Sequence, residues 1–293
     1  MDLAALAEYL SGRRVNNDIA VASATLQGYD YLLTLQDEVD FVWFAQWNAG
    51  KILFYLNRYL PFMDIPVHLY MFFSTNSAAD RCMWLDDWIN GSYVVAIILS
   101  DTILVMRTWV LWGATPIGAL LLFPALAGTA IACAVLVSQF ARTVQYETAP
   151  STIIEGCFIL HASEVLADVW AICLGIELSV LAITMLRGIR HRFGMHCRGT
   201  LGTLYWDAIK FASLMSAISV ASLAITYTAP ASYMNGTASF QRSLHSILAS
   251  HVLLRLRRKI SEIPPEVSTS QGTSFWVDSM AGYQISSNAA PEG

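Results

Sequence analysis

Charged residues are scarce in this sequence. Only 13% of its 293 residues are Asp, Glu, Lys or Arg, whereas 55% are hydrophobic. An ordinary soluble domain carries about 25% charged residues. A water-facing surface needs more charge than this, and the charges that are present lie between long apolar stretches. The composition therefore predicts an integral membrane protein whose apolar helices contact lipid.

Several other features are missing, and each argues against a class of protein. The net charge of −5 and the absence of a long basic run argue against nucleic acid as a partner. Residues 1–17 lack a basic region followed by a short apolar core, so no cleaved signal peptide is expected. No internal repeat of the kind found in many transporters is visible. The last apolar stretch contains no lysine for a Schiff base, which argues against a light-driven retinal protein.

What the sequence does contain is a series of long apolar windows. A membrane-spanning helix needs roughly 20 apolar residues, and windows near this length occupy residues 18–35, 51–73, 88–112, 116–140, 158–186, 204–229 and 240–256. The predicted fold class is all-α: a polytopic membrane helix bundle of about seven transmembrane helices. Residues 1–17 are predicted to be a short outer N-terminal segment, 18–259 the transmembrane domain, and 260–293 a disordered cytoplasmic tail.

The distribution of Lys and Arg between the loops predicts the orientation, because these residues resist translocation. One side collects ten basic residues: Lys51, Arg107, Arg187, Arg190, Arg192, Arg198, Arg255, Arg257, Arg258 and Lys259. The other side collects Arg13, Arg14, Arg81 and Arg142, with Arg242 near a boundary. The N-terminus is therefore predicted to lie outside and the C-terminus in the cytoplasm, with the plasma membrane as the favoured location.

Two kinds of modification site fall on the predicted outer side. Asn235 and Asn90 each begin an Asn-X-Ser/Thr triplet, which makes them candidate glycosylation sites. Cys82 precedes the third helix and Cys157 the fifth, so a disulfide between them is one hypothesis and two free thiols are the other. Cys133 and Cys173 lie within helices and are interpreted as packing residues.

Charged residues inside the apolar windows need a partner or a purpose, because charge is costly in lipid. Asp30 and Arg58 lie at similar depths in the first two windows. They are predicted to form an ion pair that ties the two helices together, and a conformational switch is the alternative. Asp101, in the third window, has no cation nearby in its own helix and is a candidate for binding a ligand or an ion.

The fifth window carries three further candidates, His161, Glu164 and Asp168. At about 100° per residue they fall within roughly 60° of one another on a helix. Such a face would suit a metal ion, a proton relay or a cationic ligand, or it is simply a polar face turned toward neighbouring helices. Glu177 points the opposite way on the same helix, and His245 and His251 are spaced so that they lie on different faces.

One stretch of the chain resembles a known family. The residues that carry the resemblance are Asp30 to Leu35, Glu38-Val39, Trp43, Trp47, Gly50 to Phe54 and Asn57 to Phe62. They are similar to the N-terminal signature of a family of multi-pass membrane proteins from mushroom-forming fungi, a domain of unknown function. The resemblance covers roughly residues 29–62 and continues more weakly to about Lys259. It implies a multi-pass membrane protein and brings no activity with it.

These observations favour a receptor-like seven-transmembrane sensor. Its expected partners are the lipid bilayer and a cytoplasmic signalling protein that contacts the C-terminal tail and the loop containing Arg187, Arg190, Arg192 and Arg198. The alternative is an ion-coupled transporter that uses intramembrane carboxylates. No cofactor, no metal and no enzymatic activity are expected, because neither a nucleophile nor a complete ligand set is recognisable.

Overall fold

The computed structural model describes residues 3–73, 79–143, 145–147, 158–161, 165–194, 200–228 and 234–261. Within these ranges the chain forms seven α-helices, one π-helical turn and two short strands. In chain order they are α1 (Leu3–Glu38), the π turn (Val39–Trp43), α2 (Ala49–Phe73), α3 (Ala79–Leu111), α4 (Pro116–Thr143), β1 (Gln145–Glu147), β2 (Phe158–His161), α5 (Val165–Gly194), α6 (Thr200–Thr228) and α7 (Met234–Ser261).

Four of the described helices are long and apolar enough to cross a membrane. The qualifying segments are Arg81–Leu111, Pro116–Thr143, Ala167–Ile189 and Trp206–Thr228, in α3, α4, α5 and α6. These segments supply the internal backbone hydrogen bonds and the apolar surface that lipid requires. The prediction of a predominantly helical protein is confirmed, with four helices that are apolar enough to span a membrane.

The odd-numbered helices run in the same direction. Contacts of rising residue number join α1 to α7: Asn16 with Gly236, Asp30 with His251, and Phe41 with Arg257. The same holds for α3 and α5, where Asp101 interacts electrostatically with Glu177 and Thr108 hydrogen-bonds Thr184.

The even-numbered helices run the opposite way. Residue numbers rise along one helix as they fall along its neighbour for α1–α2, α2–α3, α4–α5 and α6–α7. The contacts that show this are Tyr31 with Phe62 and Glu38 with Arg58; Asn57 with Ser100 and His68 with Tyr93; Cys133 with Cys173, while Leu126 and Val180 share one core cluster; Phe211 with Arg255 and Ser219 with Gln241. The described helices therefore form an up-and-down bundle.

The two ends of this bundle differ in chemistry. We call the end where the odd-numbered helices finish the basic end; it holds Lys51, Arg107, Arg187, Arg255 and Arg257. We call the opposite end the Cys82 end. Here β1 pairs antiparallel with β2, with Tyr146 opposite Ile159 and Glu147 opposite Phe158, and β1 packs against α3.

α3 occupies the interior and α4 the periphery. In the most apolar stretch of α3, 61% of the residues are buried, against 17% in α4. The outward side chains of α4 are large and apolar: Ile117, Leu120, Leu121, Ile131 and Val135. Because much of α3 is surrounded by other helices, the buried polar side chains Ser100, Asp101, Arg107 and Thr108 face protein and not lipid.

The structure differs from the sequence prediction at the start of the fifth helix, and it gives the local structure at two other predicted features. α1 begins at Leu3, so the predicted outer segment 1–17 is helical over its described part. Residues Phe158–His161 form a strand, and the fifth helix starts only at Val165, because the β1–β2 pairing takes up their backbone groups. Asn90 lies inside α3 and Asn235 in the first turn of α7, so neither candidate glycosylation site is on a loop. The predicted tail from residue 262 onward lies outside the described residues.

Candidate functional site

A buried arginine on α2 joins the first two helices at the basic end. Arg58 is 1% exposed, and its Nε donates a hydrogen bond to Oε2 of Glu38 at 2.6 Å. Its Nη2 donates to Oγ1 of Thr34 at 2.5 Å, and its Nη1 lies 3.8 Å from Oδ2 of Asp30. The guanidinium also lies over the ring of Tyr31, 5.0 Å from its centroid. Arg58 thus contacts four residues spaced along one side of α1.

Glu38 is the nearest charged partner of Arg58 and is itself fully buried. Its Oε1 accepts hydrogen bonds from the Tyr59 hydroxyl at 2.7 Å and from Trp43 Nε1 at 3.1 Å. With Arg58 on the other oxygen, both carboxylate oxygens are occupied. Removing one member of a buried ion pair leaves an unpaired charge and costs about 3–5 kcal/mol. The pair therefore fixes the point where α1 passes into the π turn.

Asp30 extends this arrangement to α7. Its Oδ1 lies 2.6 Å from Nε2 of His251, while Oδ2 faces Arg58. We call the set Asp30, Thr34, Glu38, Arg58, Tyr59 and His251 the Arg58 network. It links α1, α2 and α7. The ion pair predicted between Asp30 and Arg58 is present at 3.8 Å, but Glu38 is the closer partner and was not part of that prediction.

The π turn that follows α1 is held by two further cations. Lys51 Nζ donates to the carbonyl oxygens of Trp43 and Ala45, at 2.9 and 2.6 Å. Arg257 Nη1, from α7, donates to the carbonyl oxygen of Phe41 at 3.0 Å. Backbone carbonyls at the end of a helix carry partial negative charge, which cations stabilise. The aromatic side chains of this segment, Trp43, Phe44 and Trp47, are 47%, 86% and 72% exposed, which suits the headgroup region of a bilayer.

A second polar contact ties α2, α3 and α7 near mid-bundle. Asn57 Nδ2 donates to the carbonyl oxygen of Ser246 at 2.9 Å and to Oγ of Ser250 at 3.3 Å. Its Oδ1 accepts a hydrogen bond from Ser100 at 3.0 Å, and its own carbonyl accepts one from Ser246 Oγ at 2.7 Å. Asn57 is therefore fully used as a three-helix bridge.

The centre of the bundle holds a cluster of a different kind. Glu177 on α5 is 1% exposed, and its Oε1 accepts a hydrogen bond from Ser219 Oγ at 2.9 Å. Ser219 in turn accepts one from Gln241 Nε2 at 3.1 Å, and Nε2 of His245 lies 3.7 Å from Glu177 Oε1. Asp101 is 2% exposed and interacts electrostatically with Glu177. We call Asp101, Glu177, Ser219, Gln241 and His245 the central carboxylate cluster.

Unlike the Arg58 network, this cluster is not internally satisfied. Buried atoms with no hydrogen-bond partner in the described part of the chain are Asp101 Oδ1, Glu177 Oε2, Gln241 Oε1 and both ring nitrogens of His245, with Ser216 Oγ one turn from Ser219. No lysine or arginine among the described residues forms an ion pair with either carboxylate. Buried polar atoms in native proteins are normally paired, so the cluster has capacity for an additional ligand.

The geometry does not support a transition-metal or zinc centre in the residues that the structure describes. Within those ranges no group of three or more His, Cys, Asp or Glu side chains is arranged to hold a metal ion. Cys133 and Cys173 are free, with their Sγ atoms 3.6 Å apart between α4 and α5, as expected of packing residues.

The Arg58 network and the central carboxylate cluster can be compared with known proteins. A family model described as "Family of unknown function (DUF6533)" matches residues 19–63. The chain is similar to this family over that region. The match covers the part of the sequence in which the resemblance was noted, and it carries no activity. A comparison with curated proteins found no match. The matched range contains the whole Arg58 network except His251.

Three of the predicted ligand-binding residues lie in the described part of the chain, and each is on a different element. Asp101 belongs to the central cluster. His161 lies on β2, so the prediction that it shares a helical face with Asp168 is wrong, because the helix has not yet begun at that point. Asp168 is exposed in the first turn of α5. Glu164 lies outside the described residues. Whether His161, Glu164 and Asp168 bind a ligand stays a prediction.

Glu38, Glu177 and His245 belong to these two sites but were not among the site residues predicted from the sequence. Glu38 stands just beyond the first apolar window, where an acidic residue is usually solvated. Glu177 and His245 lie in different helices, 68 positions apart, so no spacing rule connects them. One signal was available, since both are polar residues inside apolar windows, where such groups are costly.

The Cys82 end carries two further features. Cys82 is disulfide-bonded, whereas its proposed partner Cys157 lies outside the described residues; the pairing stays a prediction. Nearby, Arg242 on α7 forms a buried ion pair with Asp64 on α2 and lies over the ring of Tyr93, 5.3 Å from its centroid. This cation is thereby engaged at the Cys82 end.

Proposed function

We propose that this chain is a receptor-like sensor of the plasma membrane with seven spans. Its N-terminus lies outside the cell and its C-terminus in the cytoplasm. Four apolar helices and the alternation of all seven helix directions support the span count. α1, α2 and α7 are less apolar because they carry the buried polar groups of the Arg58 network, which face protein neighbours.

The distribution of charge supports the orientation. Lys51, Arg107, Arg187, Arg255 and Arg257 gather at one end of the bundle, and basic residues favour the cytoplasmic side. Several of them lie against aromatic rings there: Arg187 over Trp112, and Arg107 and Arg255 over Phe211. In this orientation the basic end would meet a cytoplasmic signalling partner. The proposal includes no catalytic activity.

The main observation in support of a sensor function is that several side chains compete for the guanidinium of Arg58. A single buried guanidinium serves Glu38, Thr34 and Asp30, and Asp30 also binds His251 of α7. A ligand that displaces α7 would change which carboxylate the arginine serves. Packed elements with alternative partners are the kind of device through which membrane proteins change state.

The test uses full-length protein in lipid nanodiscs. A thermal-shift screen identifies a stabilising small molecule, and spin labels at two exposed positions of the basic end, Phe44 and Trp206, report the distance between the π turn and α6. We expect the ligand to shift this distance in the wild type. In Arg58→Lys the ligand should still bind while the shift disappears, because lysine cannot bridge the same partners.

The matched control is Arg14→Lys, which makes the same replacement at an exposed position and should behave as wild type. If the ligand moves the labels equally in Arg58→Lys and in wild type, the sensor proposal is wrong. Coupling is tested separately by replacing Arg187, Arg190, Arg192 and Arg198 with alanine, which should abolish activation of a signalling protein without affecting ligand binding.

A second candidate function is an ion-coupled carrier, which the central carboxylate cluster favours. Buried carboxylates without a basic partner are typical of coupling-ion sites. In reconstituted vesicles, Asp101→Asn or Glu177→Gln would then stop ion-driven solute flux, while the arginine replacements at the basic end would leave it intact. The opposite pattern, with flux retained in the carboxylate variants, would rule the carrier out.

A further inference from the structure

We propose that the central carboxylate cluster binds a small monovalent cation, sodium or a proton, between the carboxyl groups of Asp101 and Glu177. The two ions share one chemistry, a single positive charge held by carboxylate oxygen. The inference goes beyond the sensor function and does not depend on it, since such an ion would serve a carrier as coupling ion or a sensor as regulator.

The first argument is the charge of the site. Asp101 and Glu177 are 2% and 1% exposed, and each lies seven residues before a member of the Thr108–Thr184 hydrogen bond that joins α3 to α5, so the two carboxyl groups are at the same level of the bundle. An isolated carboxylate transferred out of water is strongly disfavoured unless it is paired or neutralised. Glu38, which is equally buried, has Arg58 against it, whereas Asp101 and Glu177 have no lysine or arginine partner within the described residues. When both groups are ionised, their negative charge is not balanced by a basic side chain in the described residues, and a bound cation would neutralise it.

The second argument is the supply of unused acceptor atoms. Asp101 Oδ1, Glu177 Oε2 and Gln241 Oε1 are buried and have no hydrogen-bond partner in the described part of the chain, and Ser216 Oγ adds a hydroxyl oxygen one turn from Ser219. Gln241 uses its amide nitrogen on Ser219, which leaves its carbonyl oxygen available. Carboxylate, carbonyl and hydroxyl oxygens are the ligands that hard cations prefer.

The third argument concerns the kind of cation. Divalent ions and zinc favour several carboxylate or imidazole ligands, and no group of three such side chains arranged for a metal occurs in the described ranges. Two carboxyl groups supported by neutral oxygens match a single positive charge better. This reasoning selects a monovalent ion.

A proton is the other monovalent cation that the site would hold. The helices around the site contribute titratable side chains. The groups are Asp101 on α3, Cys133 on α4, Cys173 and Glu177 on α5, and His245 on α7, and α6 contributes the hydroxyls of Ser216 and Ser219. His245 lies 3.7 Å from Glu177 Oε1, so it is placed to exchange a proton with that carboxyl. Sodium and protons would then compete for the same oxygens.

The experiment measures the melting temperature of the full-length protein in nanodiscs while sodium chloride replaces choline chloride at constant ionic strength. It is run at an alkaline and at an acidic pH. We expect a saturable rise with sodium at alkaline pH, and a weaker dependence at acidic pH because protons occupy the site. In Asp101→Asn and in Glu177→Gln, the half-saturating sodium concentration should rise at least about tenfold, since one charged ligand is worth roughly 1.5 kcal/mol or more.

Asp87→Asn is the matched control, because Asp87 lies on α3 like Asp101 but is exposed; it should keep the wild-type response. If sodium has no effect but the pH dependence of the melting temperature is lost in Asp101→Asn and Glu177→Gln, and retained in Asp87→Asn, the ion is the proton. If wild type ignores sodium and the site variants keep its pH dependence, the proposal is overturned.

If a variant fails to fold, two measurements on the wild type still test the proposed cation site. Equilibrium binding of radioactive sodium to the wild type, together with the infrared band of protonated carboxyl groups as a function of pH, gives the same decision without any variant. Absence of both sodium binding and a titrating carboxyl band overturns the proposal. All these readouts are equilibrium binding measurements, so their failure leaves the ligand-induced movement of the Arg58 network unaffected, and the reverse is also true.

Discussion

Glu38, the last residue of α1, accepts a 2.6 Å hydrogen bond from Nε of Arg58 on α2, and both side chains are almost completely buried. The two residues are 20 positions apart, separated by the π turn and the start of α2. The chain must therefore reverse direction within that interval for the pair to form. The ion pair and the turn stabilise each other, because Trp43 of the π turn also donates to Glu38.

Removing the Glu38 carboxylate should destabilise the protein strongly. We expect Glu38→Ala to lower the free energy of unfolding by about 3–5 kcal/mol, because Arg58 would stay buried beside a single, more distant carboxylate. Unfolding in mixed micelles by a denaturing detergent measures the change.

Asp40→Ala is the appropriate control, since Asp40 is exposed and contacts only Gln36 among the bonds found for it. It should change stability by no more than about 0.5 kcal/mol. Equal effects of the two replacements would show that Glu38 is not specially paired.

Because α1 and α7 are in close contact at the Cys82 end, a methyl group added at Gly236 should not be tolerated. A Cβ at Gly236 would lie 2.6 Å from Asn16 Oδ1 and 3.2 Å from Asn16 Cα. The oxygen can move but the backbone atom cannot without separating the helices, so Gly236→Ala should cost roughly 1–3 kcal/mol.

Gly175→Ala provides the comparison within the same fold. A Cβ at Gly175, in α5, meets nothing within 4 Å, and alanine is the better helix former by about 0.5–1 kcal/mol. Melting temperatures of the two variants should therefore move in opposite directions. A neutral Gly236→Ala would contradict the close approach of the helices.

The Asn57 bridge predicts a moderate loss of stability on truncation. Asn57→Ala removes three side-chain hydrogen bonds that join α2 to α3 and α7. Hydrogen bonds between membrane helices contribute about 0.6 kcal/mol each on average, so a loss of roughly 2 kcal/mol is expected from detergent unfolding. Asn90→Ala removes only a bond to Asp86 within one helix and should cost clearly less; the reverse ranking would refute the bridge.

The disulfide at Cys82 should be detectable chemically. Digestion without reducing agent is expected to give a cross-linked peptide containing Cys82 and Cys157, and Cys82→Ser should lower stability by about 2–5 kcal/mol. Mass spectrometry that finds Cys82 linked to a different cysteine, or alkylated as a free thiol, would refute the pairing. Cys133→Ser, at a free cysteine, controls for loss of a thiol as such.

The sidedness of the chain ends is tested directly by protease protection. The seven spans that we propose would place the two termini on opposite faces of sealed vesicles, so a tag at one end should be cleaved from outside and a tag at the other should be protected. Cleavage of both tags from the same side would refute an odd number of spans, and with it the outer position of Cys82 and the cytoplasmic position of the basic end.

Particular residues show how far sequence reasoning reached. The contact between Asp30 and Arg58 could be predicted because both residues interrupt apolar windows at similar depth. Depth follows from the position of a residue within its window. The same reasoning missed Glu38, because its burial depends on the π turn folding Trp43 and Lys51 back over it. It misplaced His161, because a helix and a strand of apolar residues look alike over four positions.

Low charge and long apolar windows were enough to predict helices that can span a membrane, since they leave few other ways to satisfy the backbone. Which polar residues meet depends on how the helices pack. Asp101, Glu177 and His245 come from three helices, and no periodicity along the chain encodes the rotation of each helix about its axis or the choice of its neighbours. Packing sets the rotation of each helix and the choice of its neighbours, and these bring the carboxyl groups of Asp101 and Glu177 together.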